Sequence, residues 1–548
     1  MATAAGGSTT KTAGTARQQD KTDAAPTEPQ WRPRFNPWLI ALTVTLASFM
    51  EVLDTSIANV ALPHIAGSVS ASEDEATWVL TSYLISNAII LPLSGWFSLL
   101  IGRKRFYMTC VAVFTLSSFL CGIAPTLGLL VLFRVLQGIG GGGLQPSEQA
   151  ILADTFLPRQ RGMAFAIYGI AVVTAPAIGP TLGGWITDNF SWRWIFFINI
   201  PVGILSMFLT SFMLDDPPYF VKERLRRKAT SLRVDYRGII FIALGLGFLQ
   251  IVLDKGERDD WWASHFILIC TLISAAGLLL AIWWEFRVKD PVVDLSLLKN
   301  RNFGISSFLM FMVGVVLLGS TVLIPQYLQL IMGYSATDAG LAISPGGVLV
   351  MLMLPFVGIL LGKVEARWLI GVGLAITSLA LIHMTTFNTL IDYRYAAIAR
   401  CYQAAGLAFL FVPINTAAYA FVPPNKNNAA SGLINLARNI GGSVGISLVT
   451  TLLDRRAQFH QNRLVDHMTA LNPNFNQALN SAQRVFTLHG DGSGGNGPYA
   501  LLMRNLQRQA ETLSYIDCFW LLGVAFAFMV PLIFFMRKQK PGRAAAAH

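Results

Sequence analysis

Residues 304–330 read GISSFLMFMVGVVLLGSTVLIPQYLQL, and no charged residue interrupts them. At 1.5 Å per residue such a run is about 40 Å long as a helix, enough to cross the ~30 Å hydrocarbon core of a bilayer. Lipid offers backbone N–H and C=O groups no partner, so a spanning segment must be helical. Pro325 does not refute this, because neighbouring helices can satisfy the group it frees. Working outward, comparable runs occur at about 38–62, 77–98, 106–124, 127–152, 163–186, 194–214, 237–253, 264–285, 339–361, 368–386, 395–420, 430–453 and 514–536. With 304–330 they make fourteen spans and predict an all-α membrane protein.

Composition supports the count. The 548 residues are 53% hydrophobic and 13% charged, against about 25% charged in a soluble domain. The net charge of +11 would suggest nucleic acid in a soluble protein. Here the basic residues sort by topology, since cytoplasmic loops of membrane proteins collect Lys and Arg. With the amino terminus inside, the inner segments hold 28 Lys and Arg and the short outer segments hold 4. Missing one span would scramble that alternation, so an even count and two cytoplasmic termini are expected together. The outer segment 454–513 is long enough to be exempt from the rule. It reads either as a mobile loop or as a docking surface.

The five cysteines, Cys110, Cys121, Cys270, Cys401 and Cys518, form no CxxC pair, so neither a zinc site nor a disulfide framework is expected. Residues 1–36 read as a disordered cytoplasmic tail and 537–548 as a second tail. No signal-peptide cleavage pattern follows the first span. The Gly138–Gly143 run lies inside a span and no GK[ST] follows it, so it is no phosphate loop. Energy is expected from an ion gradient and not from a nucleotide or another cofactor.

An internal repeat divides the chain. Arg134-x-x-Gln137-x-x-Gly140 recurs as Arg400-x-x-Gln403-x-x-Gly406, both entering a span from the same side, and repeats of this kind mark transporters. Two six-helix halves with two helices between them give 6+2+6. The expected organisation is a first bundle at 37–214, a linker with two extra helices at 215–303, and a second bundle at 304–536.

Several motifs resemble the major facilitator superfamily, in particular its fourteen-helix drug:proton antiporter branch of the EmrB/QacA type. They are Leu53 to Pro63 (LDTSIANVALP), Arg134 to Gly142, Ala175 to Gly184 (APAIGPTLGG), Trp192 to Gly203 (WRWIFFINIPVG), and Pro325-Gln326-Tyr327-Leu328-Gln329 with Gly333-Tyr334-Ser335. The resemblance covers roughly 36–536. It implies the major facilitator fold and a proton-coupled exporter of amphipathic toxic compounds, working by alternating access. The alternative is an exporter or importer of a specific metabolite or siderophore. The long segment before the last span resembles the EmrB subgroup. That resemblance implies a bacterial inner membrane, a periplasmic adaptor protein and an outer-membrane channel. In the family's loop between helices two and three an Asp and an Arg are usual; Leu99 and Leu100 stand at those positions. The gate loop, represented by Gly95, Gly102, Arg103 and Lys104, therefore lacks the expected acid.

Charged and polar groups inside spans supply the candidate site. Intramembrane carboxylates are costly, rare and frequent in proton relays, which singles out Asp54 and Glu51. Three residues apart, they share a helix face. Arg134 lies at a depth similar to Asp54, and the two readings are a proton-coupling pair or a static ion pair. Glu148, Gln145, Asn87, Gln326, Tyr327 and Arg438 are candidates for substrate or proton contact. Pro176, Gly179, Pro180, Gly183 and Gly184 form a smooth, bendable stretch, read either as a hinge or as tight packing. No catalytic residue and no metal ligand is expected.

Overall fold

The computed structural model of the chain describes residues 33–229, 235–288, 291–488 and 497–539. The two expected tails lie almost wholly outside them. The first half consists of α1 (Pro37–Ser68), α2 (Trp78–Ile101), α3 (Arg103–Ile123), α4 (Leu127–Thr155), α5 (Arg161–Asn189) and α6 (Trp194–Met213). A short basic helix, α7 (Pro218–Ala229), leads to the extra spans α8 (Tyr236–Lys255) and α9 (His265–Glu285). The second half consists of α10 (Arg301–Ile331), α11 (Ala336–Leu360), α12 (Ala366–Met384), α13 (Tyr393–Tyr419) and α14 (Asn427–Val465). It continues through a surface helix, α15 (Pro473–Leu488), to the last span, α16 (Gly497–Met529).

Among the described residues, 13 helices are long and apolar enough to cross a membrane, and α5, bent by 42° between Pro176 and Ile178, makes a fourteenth. No strand occurs among them. The outward faces carry large apolar side chains such as Leu116, Phe208, Phe212, Leu279 and Leu352. So large an apolar exterior would aggregate in water and belongs in lipid.

The repeat is structural as well as sequential. Gly140 of α4 and Gly406 of α13 let their helices close on a neighbour. A Cβ on Gly140 would lie 2.6 Å from the Phe114 backbone N of α3, and one on Gly406 would lie 2.6 Å from the Thr377 backbone N of α12. Glycine permits this approach because it has no side chain.

The halves meet chiefly through α2 with α14 and α5 with α11. Two close backbone approaches between the halves lie at the end of the bundle where α1 begins and α16 ends. A Cβ on Gly95 of α2 would lie 2.9 Å from Ala429 Cα of α14, and one on Gly162 of α5 would lie 3.1 Å from the Gly358 carbonyl of α11. The structure is therefore closed at this terminal end. A cavity lies between α5 of the first half and α10, α11 and α13 of the second. The extra helix α8 packs on α2 and touches α14, where Ser443 donates to Gln250 at 3.0 Å, so it lies along the seam.

The described residues of segment 454–513 are largely helical, as the Gln-, Leu- and Ala-containing stretches on either side of its Gly/Ser portion allow. Its Gly/Ser-rich portion at 489–496 lies outside the described residues. With 39 residues, α14 is about 58 Å long, so roughly half of it projects beyond the hydrocarbon. Asp517 of α16 accepts from Arg456 Nε at 2.6 Å and lies 2.7 Å from His460 Nε2, tying the two projecting helices together.

Candidate functional site

Asp54 sits on α1, facing α4 and α6. It is 2% exposed and accepts from Arg134 Nη1 at 2.7 Å, Gln137 Nε2 at 3.0 Å and Asn199 Nδ2 at 2.6 Å. Arg134 is fully buried; its Nε donates to the Val79 carbonyl at 2.9 Å, and its guanidinium lies 4.4 Å over the Tyr83 ring. A buried charge pair is sustained by the further hydrogen bonds its groups make; here both Asp54 oxygens and Arg134 Nε and Nη1 are engaged, while Arg134 Nη2 has no partner. Asn199 lies inside the WRWIFFINIPVG stretch, yet sequence reasoning did not single it out. An Asn at the start of an apolar span was the available signal.

Glu51, one helical turn away, belongs to a different set of partners. It accepts from Tyr83 Oη at 3.0 Å, Asn87 Nδ2 at 3.2 Å and Gln145 Nε2 at 2.5 Å. Gln145 Oε1 in turn accepts from Arg438 Nη2 of α14 and from Tyr168 Oη of α5, the latter at 2.9 Å. The Glu51 carboxylate is thus joined through one amide to a guanidinium of the other half. Around it, Asn439 donates to Asn87 Oδ1 at 3.2 Å, Asn435 donates to Gln149 Oε1 at 2.9 Å, and Tyr419 Oη donates to Gln149 Oε1 at 3.2 Å. Every one of these bonds crosses between the halves. Tyr83 belongs to both sets, with its hydroxyl on Glu51 and its ring under Arg134. Asn435, Asn439 and the tyrosines escaped sequence reasoning, because a neutral polar residue in a span does not reveal what it faces.

Glu148 lies apart. Its Oε1 accepts from Thr45 at 2.5 Å, while its Oε2 is buried without a partner. Gln326 and Tyr327 are not brought to the centre. Tyr327 donates to the Asn388 carbonyl at 2.9 Å and packs on Phe387 and Tyr515 at the end of α10, away from the terminal end. Their polarity reflects that far layer of the second bundle.

The gate loop finds its acid elsewhere. Arg103, at the start of α3, pairs with Asp154 at the end of α4, and both side chains are buried. Asn427, at the first turn of α14, donates to the other oxygen of Asp154 at 2.6 Å. The bond therefore spans the two halves at the terminal end without any loop acid at Leu99. Gly102 adopts φ +99°, a conformation that favours glycine. Asp216 caps the adjoining turn by accepting from the Lys104 backbone N at 2.9 Å.

On α5, Gly179 and Gly183 lie against Ser56 and Ile57 of α1, inside the first half. A Cβ on Gly184 would meet nothing, and Pro180 is exposed. The bend at Pro176 is real, but the contact of this helix with the other half is made at Gly162 and Gly169.

The Major Facilitator Superfamily description matches residues 44–446. The chain belongs to the major facilitator superfamily. It is 34% identical over 515 residues to the multidrug export protein EmrB of Escherichia coli K12, covering 93% of this chain and 97% of that protein. It is 36% identical over 502 residues to the probable multidrug resistance protein EmrY of the same organism, covering 91% and 95%. It is 34% identical over 496 residues to the fatty acid resistance protein FarB of Neisseria gonorrhoeae, covering 90% and 95%. Among solved structures, the proton:xylose symporter XylE superposes with a TM-score of 0.60 at 15% identity, covering 93% of this chain and 97% of that one. The human organic anion transporter MFSD10 gives 0.59 at 12% identity, covering 91% and 100%. These likenesses agree with the all-helical fold and make the chain a multi-pass membrane transporter, not an enzyme.

Proposed function

We propose that this protein is a proton-coupled antiporter that exports amphipathic toxic compounds across a bacterial inner membrane, with both termini in the cytoplasm. The names of its relatives support drug export, and the distribution of Lys and Arg supports the orientation. The observation that carries the proton step is the link from Glu51 through Gln145 to Arg438. A carboxylate holds the amide N–H groups of Asn87 and Gln145 and so holds the seam. A protonated carboxyl releases part of that set, because one of its oxygens now donates. Protonation of one buried group is thereby coupled to the packing of the two halves. Glu148, with its unpartnered oxygen, is a second proton acceptor.

The test is transport in proteoliposomes under an imposed pH gradient. Glu51→Gln keeps the shape of the side chain and removes its titration. It is expected to abolish gradient-driven efflux while the protein still inserts and folds. Efflux at the wild-type rate in that variant removes Glu51 from the coupling.

The projecting parts of α14 and α16, with α15, form the docking surface for a periplasmic adaptor, which would place the transporter in a tripartite pump with an outer-membrane channel. Deleting about 475–500 is expected to weaken co-purification with the adaptor without stopping membrane insertion. Retained association assigns docking to another surface.

A further inference from the structure

Between the two bundles, residues 222–228 read KERLRRK, five Lys and Arg against one Glu. This stretch lies in α7, and the helix has two faces. Phe220 and Arg224, one turn apart, point into the protein. Phe220 is 1% exposed, and the Arg103 guanidinium of the gate loop lies 4.6 Å over its ring. A Cβ on Gly102 would lie 2.9 Å from Arg224 Nη1, so this side chain is seated against the turn between α2 and α3. From there α7 reaches the second half, where it touches Pro424–Lys426 in the connection between α13 and α14. The helix thus braces the same end of the bundle that Asp154, Arg103 and Asn427 close.

The opposite face is turned outward. Val221 and Leu225, one turn apart, are exposed, Leu225 by 60%, and the exposed Lys222 and Arg226 lie beside them. Arg226 shares its charge with Glu223 at 3.0 Å. Apolar residues next to bases along one side of a helix suit a position in the plane of a membrane surface. The seat on Gly102, where α2 ends and α3 begins, sets α7 at the level of the span ends, where lipid headgroups lie. Val221 and Leu225 gain by leaving water, and the bases are complementary to an anionic leaflet.

We propose that the outward face of α7 docks on anionic phospholipid headgroups of the leaflet beside it, and that this docking holds the terminal end shut. The face points outward because Phe220 and Arg224 are seated inward. Lipid binding therefore favours the seated helix and with it the closed end. Placement in the cytoplasmic leaflet rests on the orientation proposed above; the docking itself does not.

The experiment uses purified full-length protein in nanodiscs of phosphatidylcholine alone, or of equal parts phosphatidylcholine and phosphatidylglycerol. Both leaflets then carry the same lipid, and orientation does not enter. Two readouts are taken in a cysteine-free background. A spin label at Val221 reports depth through its relative accessibility to oxygen and to a water-soluble nickel chelate. Labels at Gln160 and Lys363, in the α4–α5 and α11–α12 loops, report closure of the terminal end by double electron–electron resonance. Phosphatidylglycerol is expected to move the Val221 label deeper. It is also expected to raise the ratio of short to long loop distances about fivefold or more, the effect of roughly one charge at the surface. Lys222→Gln combined with Leu225→Gln is expected to remove both responses while leaving the distances in phosphatidylcholine as in the wild type. A purely structural role for the helix does not give that outcome. Lys222→Arg is expected to keep both responses. Equal label depth in the two lipids, a response retained by the double variant, or the same response to inorganic phosphate in phosphatidylcholine nanodiscs overturns the docking site. A change in depth with unchanged loop distances overturns its hold on the terminal end. No gradient is imposed in either measurement, so this proposal and the export reading fail separately.

Discussion

Asn427→Ala isolates the contact that closes the terminal end. Asn427 is 2% exposed and its amide donates to Asp154 at 2.6 Å. Asp154 keeps Arg103 in the variant, so no charge is left unpaired. A hydrogen bond to a charged group contributes about 1.5–3 kcal/mol. The two partners belong to opposite halves, so the bond exists only while this end is closed. Its loss is taken from that conformation alone and shifts the equilibrium toward the one open at the termini by about 10- to 150-fold. The assay is double electron–electron resonance between spin labels at Gln160 and Lys363, in the α4–α5 and α11–α12 loops, in a cysteine-free background. A second, longer distance is expected to become populated. Asn427→Asp, which sets a like charge against Asp154, is expected to shift the distribution further. A distance distribution unchanged from the parent, in protein that remains folded, refutes the idea that this bond holds the end shut.

Asp54→Asn removes the charge beneath three donors and leaves Arg134 buried without a counter-charge. It is expected to cost about 3–5 kcal/mol and to lower the thermal midpoint in detergent, as well as to abolish proton-driven transport; an unchanged midpoint contradicts the ion-pair geometry. Gly406→Val places side-chain atoms against the Thr377 backbone. Overpacking of about 1–3 kcal/mol or more is expected to lower the midpoint, while the same change at Gly184, where a Cβ meets nothing, is expected to have little effect. Between α8 and α9, the hydrogen bond and charge of Asp454 hold the Glu257 carboxyl up to about 7. A carboxyl held above its usual range stabilises its contact below about pH 4.5, and that contribution fades as pH rises through about 7. The distance between labels at Ser264 and Gln458 is therefore expected to widen between pH 5 and 8, and Asp454→Asn is expected to remove that dependence.

The sequence by itself determined the spans, because crossing a bilayer is a local requirement of length and apolarity that each segment satisfies alone. It pointed to two halves, because the Arg-x-x-Gln-x-x-Gly pattern occurs in two copies. The Asp54–Arg134 pair was legible as well, since the two opposite charges lie at similar depth in their spans. What only the tertiary structure decided was which polar groups face one another across the seam. Glu51 and Asp54, close on one helix, divide between two sets of partners. Tyr327 proves to belong to a remote aromatic cluster, and the acid missing at Leu99 is supplied by Asp154 from another helix. Hydrogen bonds are settled within a few ångströms by the relative placement of helices hundreds of residues apart in sequence, and no local pattern encodes that placement.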